Sequence, residues 1–182
     1  MIFSLPENAK PGIMLSGGAD STLLLWMLLK NNINPLPFVV NRRNGSITNT
    51  KCVIDWINNY YNISYPYPTM VGNPSSLTHD QQVKSGLREV FKKEFATHVY
   101  LGTIKPPPVD FPKNPPDQTL KNKNKNIITP FLLKNKKDIY KLYKTNNILD
   151  LLKITHSCEI YDDKHCNKCF SCYERLWGMN EL

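Results

Sequence analysis

The stretch Ser16-Gly17-Gly18-Ala19-Asp20-Ser21-Thr22 constrains this chain more than any other. It lies between a short apolar run, Gly12-Ile13-Met14-Leu15, and a longer one, Leu23-Leu24-Leu25-Trp26-Met27-Leu28-Leu29. That order reads as strand, glycine turn, helix. Such a turn aims several backbone N–H groups at one spot, where the positive end of the helix dipole also points. Tandem glycines let the backbone approach a ligand closely and take φ values that a side chain forbids. Ser16, Ser21 and Thr22 add hydroxyl donors. The site suits a phosphate or pyrophosphate, with Asp20 either holding its metal ion or orienting the turn.

The plainer reading of the same residues is a structural turn, because Asp-Ser-Thr is also a common helix N-cap. A Walker A loop is excluded, since the GxxxxGK[ST] spacing and its lysine are missing. The full SGGxDST string resembles the PP-loop of the ATP pyrophosphatase superfamily. That resemblance implies ATP as the nucleotide, cleaved between its α and β phosphates. It also implies nucleotide contacts from Leu15, Ser16, Gly17, Gly18, Ala19, Asp20, Ser21 and Thr22.

The rest of the first hundred residues alternates strand-like and helix-like segments. Strands are expected at 12–15, 36–40, 63–67 and 98–101. Helices are expected at 20–31, 48–60 and 80–95, from apolar residues at helical spacing such as Val83, Leu87, Val90 and Phe91. Alternation of this kind predicts an α/β fold, a parallel sheet flanked by helices of the adenine nucleotide alpha hydrolase-like, Rossmann-like type. In such sheets ligands bind beyond the carboxyl ends of the strands. The glycine turn and Gly102-Thr103 are both expected there, facing one crevice.

Residues 104–126 are rich in proline and lysine and cannot be largely regular. They are expected to form a flexible loop over the site. Short helices are expected at 138–143 and 148–153. The 182 residues suffice for one domain with its own core, so residues 1–182 are expected to be a single domain. No apolar run approaches the ~18 residues of a membrane span, and the start lacks a signal peptide's pattern. A cytoplasmic location with no membrane partner is the expectation. The formal net charge of +8 favours anionic partners without choosing among nucleotide, nucleic acid and acidic small molecule. Lys121, Lys123 and Lys125 are read as a solvated loop.

Cys158, Cys166, Cys169 and Cys172 are the second strong signal. Their C-x7-C-x2-C-x2-C spacing lets four thiolates converge on one cation. Disulfides do not fit a cytoplasmic chain. A closed structural Zn²⁺ site is the first expectation, and a [4Fe–4S] cluster is the alternative. The zinc segment is expected to run over 155–179 and to end in a helix. His156 and His165 flank it and are read as lying outside the ligand set. Cys52, alone on an expected helix, is read as a small core residue.

Taken together and in this order, the two motifs resemble the 7-cyano-7-deazaguanine synthase (QueC) family. The resemblance rests on Leu15 to Thr22, Thr129-Pro130, Lys137-Asp138-Ile139, Thr155-His156-Ser157-Cys158 and Cys166-Asn167-Lys168-Cys169-Phe170-Ser171-Cys172-Tyr173-Glu174-Arg175. His156 stands where the family has an aromatic residue, and Asn167 where it has glycine. The resemblance implies a carbon–nitrogen ligase that uses ATP, Mg²⁺ and ammonia to turn 7-carboxy-7-deazaguanine into its amide and then its nitrile. It implies roles for Ser16, Asp20 and Ser21 at the phosphates, and for Lys137 as a further phosphate contact. The partners are then a deazapurine acid and ammonia, with a homodimer open and nucleic acid not the direct substrate. The middle of the chain departs from the family: Asn41-Arg42-Arg43-Asn44 keeps only a basic character. A member that stops at the amide or uses another carboxylated base, a PP-loop tRNA-modifying enzyme and a non-enzymatic zinc module therefore stay as alternatives.

Overall fold

The computed structural model describes residues 5–40, 46–72, 78–108, 110–111 and 124–180. The basic segment at 41–44, much of the proline-rich loop, and Lys121 and Lys123 lie outside them. Five strands form one parallel sheet: β1 (Pro11–Met14), β2 (Leu36–Val40), β3 (Thr69–Val71), β4 (His98–Leu101) and β5 (Ile127–Ile128), in the order β3-β2-β1-β4-β5. The chain builds outward from β1 through β2 to β3, then crosses back to lay β4 on the other side of β1. The order therefore reverses between β1 and β4, the place where parallel sheets open a ligand crevice.

Alternation along the strands divides the core. Ile13 and Tyr100 face one side, with α1 (Ala19–Lys30), α2 (Ser46–Tyr61) and α4 (Lys136–Thr145). Met14, Val99 and Leu101 face the other, against α3 (His79–Lys92). The leucine run of α1 is buried nearly all round, with Leu23, Leu24, Leu25 and Leu28 wholly covered. Such a helix belongs between layers rather than at a surface. Two short helices, α5 (Leu149–Lys153) and α6 (Phe170–Met179), finish the described chain.

The expected strand at 63–67 is instead irregular, and β3 begins at Thr69. Pro66 and Pro68 remove two ladder donors there, so pairing with β2 starts only after them. Cys52 is exposed rather than in the core. The buried stripe of α2 runs through Thr50, Val53, Ile54 and Ile57, which leaves position 52 on the outer face.

Candidate nucleotide site and cysteine centre

The glycine turn sits at the carboxyl end of the central strand. Leu15 N–H donates to Phe38 O across the sheet at 2.7 Å, which fixes where the turn leaves. Gly17 takes φ +75°, and a Cβ there would lie 2.8 Å from Asn49 Cβ and 3.0 Å from Asn49 C of α2. Both the dihedral and the space demand glycine. Gly18 caps α1 with extended backbone and no side-chain cap. Among the described residues, helix geometry therefore leaves the amides of Ala19, Asp20 and Ser21 without an internal acceptor.

The hydroxyls of the motif fold back onto the turn. Ser21 Oγ accepts from Ser16 N–H at 3.2 Å and lies 3.1 Å from Ser16 Oγ. Gly18 N–H donates to Ser16 Oγ at 3.3 Å. These contacts shape the loop as a nest, while Thr22 Oγ1 is buried with no hydrogen-bond partner among the described residues. On the far side, the end of β4 closes in. A Cβ on Gly102 would meet Ser21 N at 2.7 Å, so the switch-point strands and the first turn of α1 touch through backbone alone.

The lysine that reaches this turn is Lys136, one residue before the expected Lys137. Its Nζ is 2.6 Å from Asp20 Oδ2 and 3.1 Å from Glu174 Oε2. Asp20 Oδ1 is buried and has no partner among the described residues. Burial pulls the Lys136 ammonium toward neutrality, but the Asp20 and Glu174 carboxylates outweigh it and raise its pKa above the ordinary lysine value. Burial likewise pushes the Glu174 carboxyl up, against the opposing pull of Lys136. Lys137 instead lies with Nζ 5.1 Å from the centre of the Trp177 ring. The start of α4 decides this. Asn135 caps the helix by accepting from Asp138 N–H at 3.1 Å, and Asp138 Oδ2 accepts from Asn135 N–H at 2.9 Å. Lys136 then falls in line with the buried Ile139, Tyr140 and Tyr143, at i+3, i+4 and i+7. Tyr143 Oη–H donates to Ala19 O at 2.7 Å and fixes α4 against the same turn.

The four cysteines come together. Their sulfurs all lie within 4.8 Å of one another. Cys158 Sγ accepts from the N–H groups of Ile160 and Tyr161 at 3.4 and 3.3 Å. Cys166 Sγ accepts from Lys168 and Cys169 at 3.3 and 3.2 Å. Burial would raise the Cys166 thiol, yet those N–H donors prevail and bring it down to about 6. Burial raises Cys172. Cys169 is the N-cap of α6, so the cluster also stands at a positive helix end, which favours thiolate. The group can hold a metal. His165 Nδ1 is 3.7 Å from Cys172 Sγ, and its ring stacks on His156 at 5.0 Å. His165 thus stands beside a sulfur, with His156 behind it, and both lie outside the four-sulfur set.

Two links join this centre to the turn. His156 N–H, two residues before Cys158, donates to Gly17 O at 3.0 Å. Arg175, buried on α6, donates to Thr155 Oγ1 at 2.9 Å and to Leu152 O at 3.3 Å, which anchors the approach to His156. Sequence reasoning missed Lys136, Glu174 and Arg175 as parts of the site. For Lys136 the signal was available in its alignment with the apolar stripe of α4.

The family described as "Queuosine biosynthesis protein QueC" matches residues 86–182. This chain belongs to the QueC family. The match spans Gly102, Lys136, the four cysteines and Arg175, and QueC membership makes the chain a PP-loop, ATP-utilising enzyme. Among solved structures it is similar to the U34-tRNA thiolase NcsA of Methanococcus maripaludis, with its [4Fe–4S] cluster. That likeness has a TM-score of 0.51 and 15% identity over 97% of this chain and 67% of that one. It is also similar to a predicted subunit of a tRNA methyltransferase from Methanocaldococcus jannaschii, with a TM-score of 0.39 and 15% identity over 74% and 75% of the two chains. The first likeness shows the shared fold, and the second is too distant to carry an argument. No curated protein matches the sequence. Among the described residues, no helix is long and apolar enough to cross a membrane.

Proposed function

We propose that this QueC-family chain converts 7-carboxy-7-deazaguanine and ammonia to 7-cyano-7-deazaguanine at the expense of ATP. The observation that supports it is the turn at residues 15–22, whose amides converge where the strand order reverses, joined to a family match over the second half of the chain. A carboxylate is a poor electrophile. Its oxygen attacks the α-phosphorus of ATP, and pyrophosphate leaves. Ammonia then adds to the acyl carbon, AMP leaves, and the amide forms. In a second round the amide oxygen attacks another ATP at its α-phosphorus, expelling pyrophosphate. Loss of AMP and the two amide protons gives the nitrile.

The chain's part is electrostatic and positional. The amides of Ala19, Asp20 and Ser21, with the α1 dipole, stabilise the charge that builds on the departing pyrophosphate. Ser16 and Ser21 hold the turn in shape for that task. Lys136, not Lys137, supplies the cation at this end of α1, by fixing the Asp20 carboxylate. Mg²⁺ arriving with ATP would neutralise phosphate charge, and the unpartnered Asp20 Oδ1 is the oxygen suited to it.

At the cysteine centre the sulfur spacing favours a single Zn²⁺. Four sulfurs at about 2.3 Å from one ion stand about 3.8 Å apart by tetrahedral geometry. Cys166 and Cys172 are 3.8 Å apart, whereas a four-iron cluster interposes iron and inorganic sulfide and spreads its ligands further. Cys158, Cys166, Cys169 and Cys172 would close the shell, so the ion would stabilise the segment at 155–179 rather than take part in the reaction.

The test is mass spectrometry of the purified chain with ATP, Mg²⁺, ammonia and 7-carboxy-7-deazaguanine. The expected product is the nitrile, with AMP and pyrophosphate formed only when acid and ammonia are both present. Amide alone would assign the chain to the first half of the reaction. No turnover with the acid, but AMP formation with tRNA, would replace this proposal with a tRNA-modifying one.

A further inference from the structure

Lys136 is shared by two carboxylates, the half-buried Asp20 of the turn and the buried Glu174 outside it. Asp20 Oδ2 takes Nζ at 2.6 Å, and Glu174 Oε2 takes it at 3.1 Å. The side chains of Lys136 and Glu174 are only 6% and 8% exposed. The ammonium thus divides its attraction between two carboxylates, with the Arg175 guanidinium also acting on the neighbouring Tyr140. A buried ion pair with one partner removed is costly. A second carboxylate on Lys136 therefore allows Asp20 to face a cation without stranding the ammonium.

The way α6 is built supports a specific role for Glu174. Gly178 follows it by one helical turn on the same face. A Cβ on Gly178 would lie 2.7 Å from Lys136 Cγ and 2.7 Å from Tyr140 Cδ2. The chain thus has its one α6 glycine where α6 must press on the Lys136 stem, which brings Glu174 onto the ammonium. The N-cap of the same helix is Cys169 of the sulfur cluster, so the register of α6, and with it Glu174, is held from the cysteine centre.

We infer that Glu174 is a positioning residue of the nucleotide site. It draws Lys136 partly away from Asp20, so that the lysine occupies only Oδ2 and Oδ1 is left for the divalent cation that accompanies ATP. This rests on the reading of the turn as the ATP site. Around Lys136 the charged or titratable groups are Asp20 on α1, Glu174 on α6 and Tyr140 on α4 itself, and Tyr143 of α4 and Arg175 of α6 act on that Tyr140 and, for Tyr143, on Asp20. Glu174→Gln keeps the shape and removes the ionic hold of Glu174 on the ammonium. Lys136 then turns its full attraction onto Asp20, which weakens that carboxylate as a ligand for the cation.

The experiment is a Mn²⁺ titration of the full-length, zinc-loaded chain with α,β-methylene-ATP, followed by electron paramagnetic resonance. Glu174→Gln should raise the Mn²⁺ concentration for half-saturation at least tenfold. Glu174→Asp, which restores the charge, should stay within about threefold of the unaltered chain. In turnover, the KM for Mg·ATP should rise at limiting Mg²⁺ while kcat at saturating Mg²⁺ holds. A folded Glu174→Gln with unchanged Mn²⁺ half-saturation would overturn the inference and leave the ATP site standing. An unaltered chain that binds no Mn²⁺·nucleotide overturns both. Should Glu174→Gln not fold, Glu174→Asp decides alone: retention within threefold upholds the inference, and a larger loss overturns it.

Discussion

Replacing Gly102 with alanine should damage both stability and turnover, because the new methyl has only backbone to meet. Its Cβ would stand 2.7 Å from Ser21 N, 2.9 Å from Ser21 Cα and 3.0 Å from Asp20 C, where ordinary contact begins at 3.4 Å. The first turn of α1 must therefore retreat by about 0.7 Å, given how little a packed interior yields. It cannot retreat freely. Tyr143 holds Ala19 O at 2.7 Å, Lys136 holds Asp20 at 2.6 Å, and Gly17 already lies against the backbone of α2. Overpacking of this kind costs about 1–3 kcal/mol of stability. A 1 Å misplacement of catalytic groups costs on the order of a hundredfold, so this smaller shift should lower kcat/KM for ATP roughly twentyfold or more. Gly86→Ala is the internal comparison. Its Cβ would meet only side-chain ends, Val71 Cγ2 at 3.1 Å and Met14 Cε and Val40 Cγ2 at 3.2 Å. The gain of up to about 1 kcal/mol in helix propensity within α3 offsets that crowding. Urea unfolding and coupled pyrophosphate release measure the two effects. If Gly102→Ala matches the unaltered chain in both, or if the two glycine variants lose equally, the argument from backbone contact fails.

Three further outcomes follow from the same geometry. Lys136→Met leaves Asp20 and Glu174 facing each other without their cation and should cost about 3–5 kcal/mol in urea unfolding, whereas Lys137→Met, which loses a cation–π contact, should cost about 1 kcal/mol or less. Chelation of the metal should release α6 and the segment before it, seen as selective protease cleavage within 155–179 while the sheet keeps its amide protection. Because thiolates must be deprotonated to bind, and backbone N–H donors bring the Cys166 thiol down to about 6, affinity for the proposed Zn²⁺ should fall as pH drops from 7 to 5, by tenfold or more in a competition assay with a chromogenic chelator.

Much of the candidate site was legible because two of its parts are local. Gly17 and Gly18 follow a strand and precede a helix, so chain connectivity alone puts their amides at the strand's carboxyl end. The four cysteines lie within fifteen residues of one another, and short loops bring them together. Lys136 was harder. Two adjacent lysines differ only in which one shares a face with Ile139, Tyr140 and Tyr143, and that is fixed by the cap at Asn135. Glu174 was not legible at all, since its partner lies 38 residues earlier and the approach of α6 to α4 is a tertiary fact that Gly178 allows. The third strand was misplaced for a local reason: the aromatic residues at Tyr65 and Tyr67 have strand propensity, but the prolines beside them remove donors. Tyr65 is buried, its hydroxyl donating to Pro35 O, so its burial comes from packing under the loop after α1 and not from a ladder.

Crystals of the chain grown with Mg²⁺ and α,β-methylene-ATP test the central claim most directly. The account predicts β- and γ-phosphate oxygens within about 2.7–3.2 Å of the amides of Ala19, Asp20 and Ser21. Nucleotide bound elsewhere, with those amides turned onto protein acceptors, would contradict it.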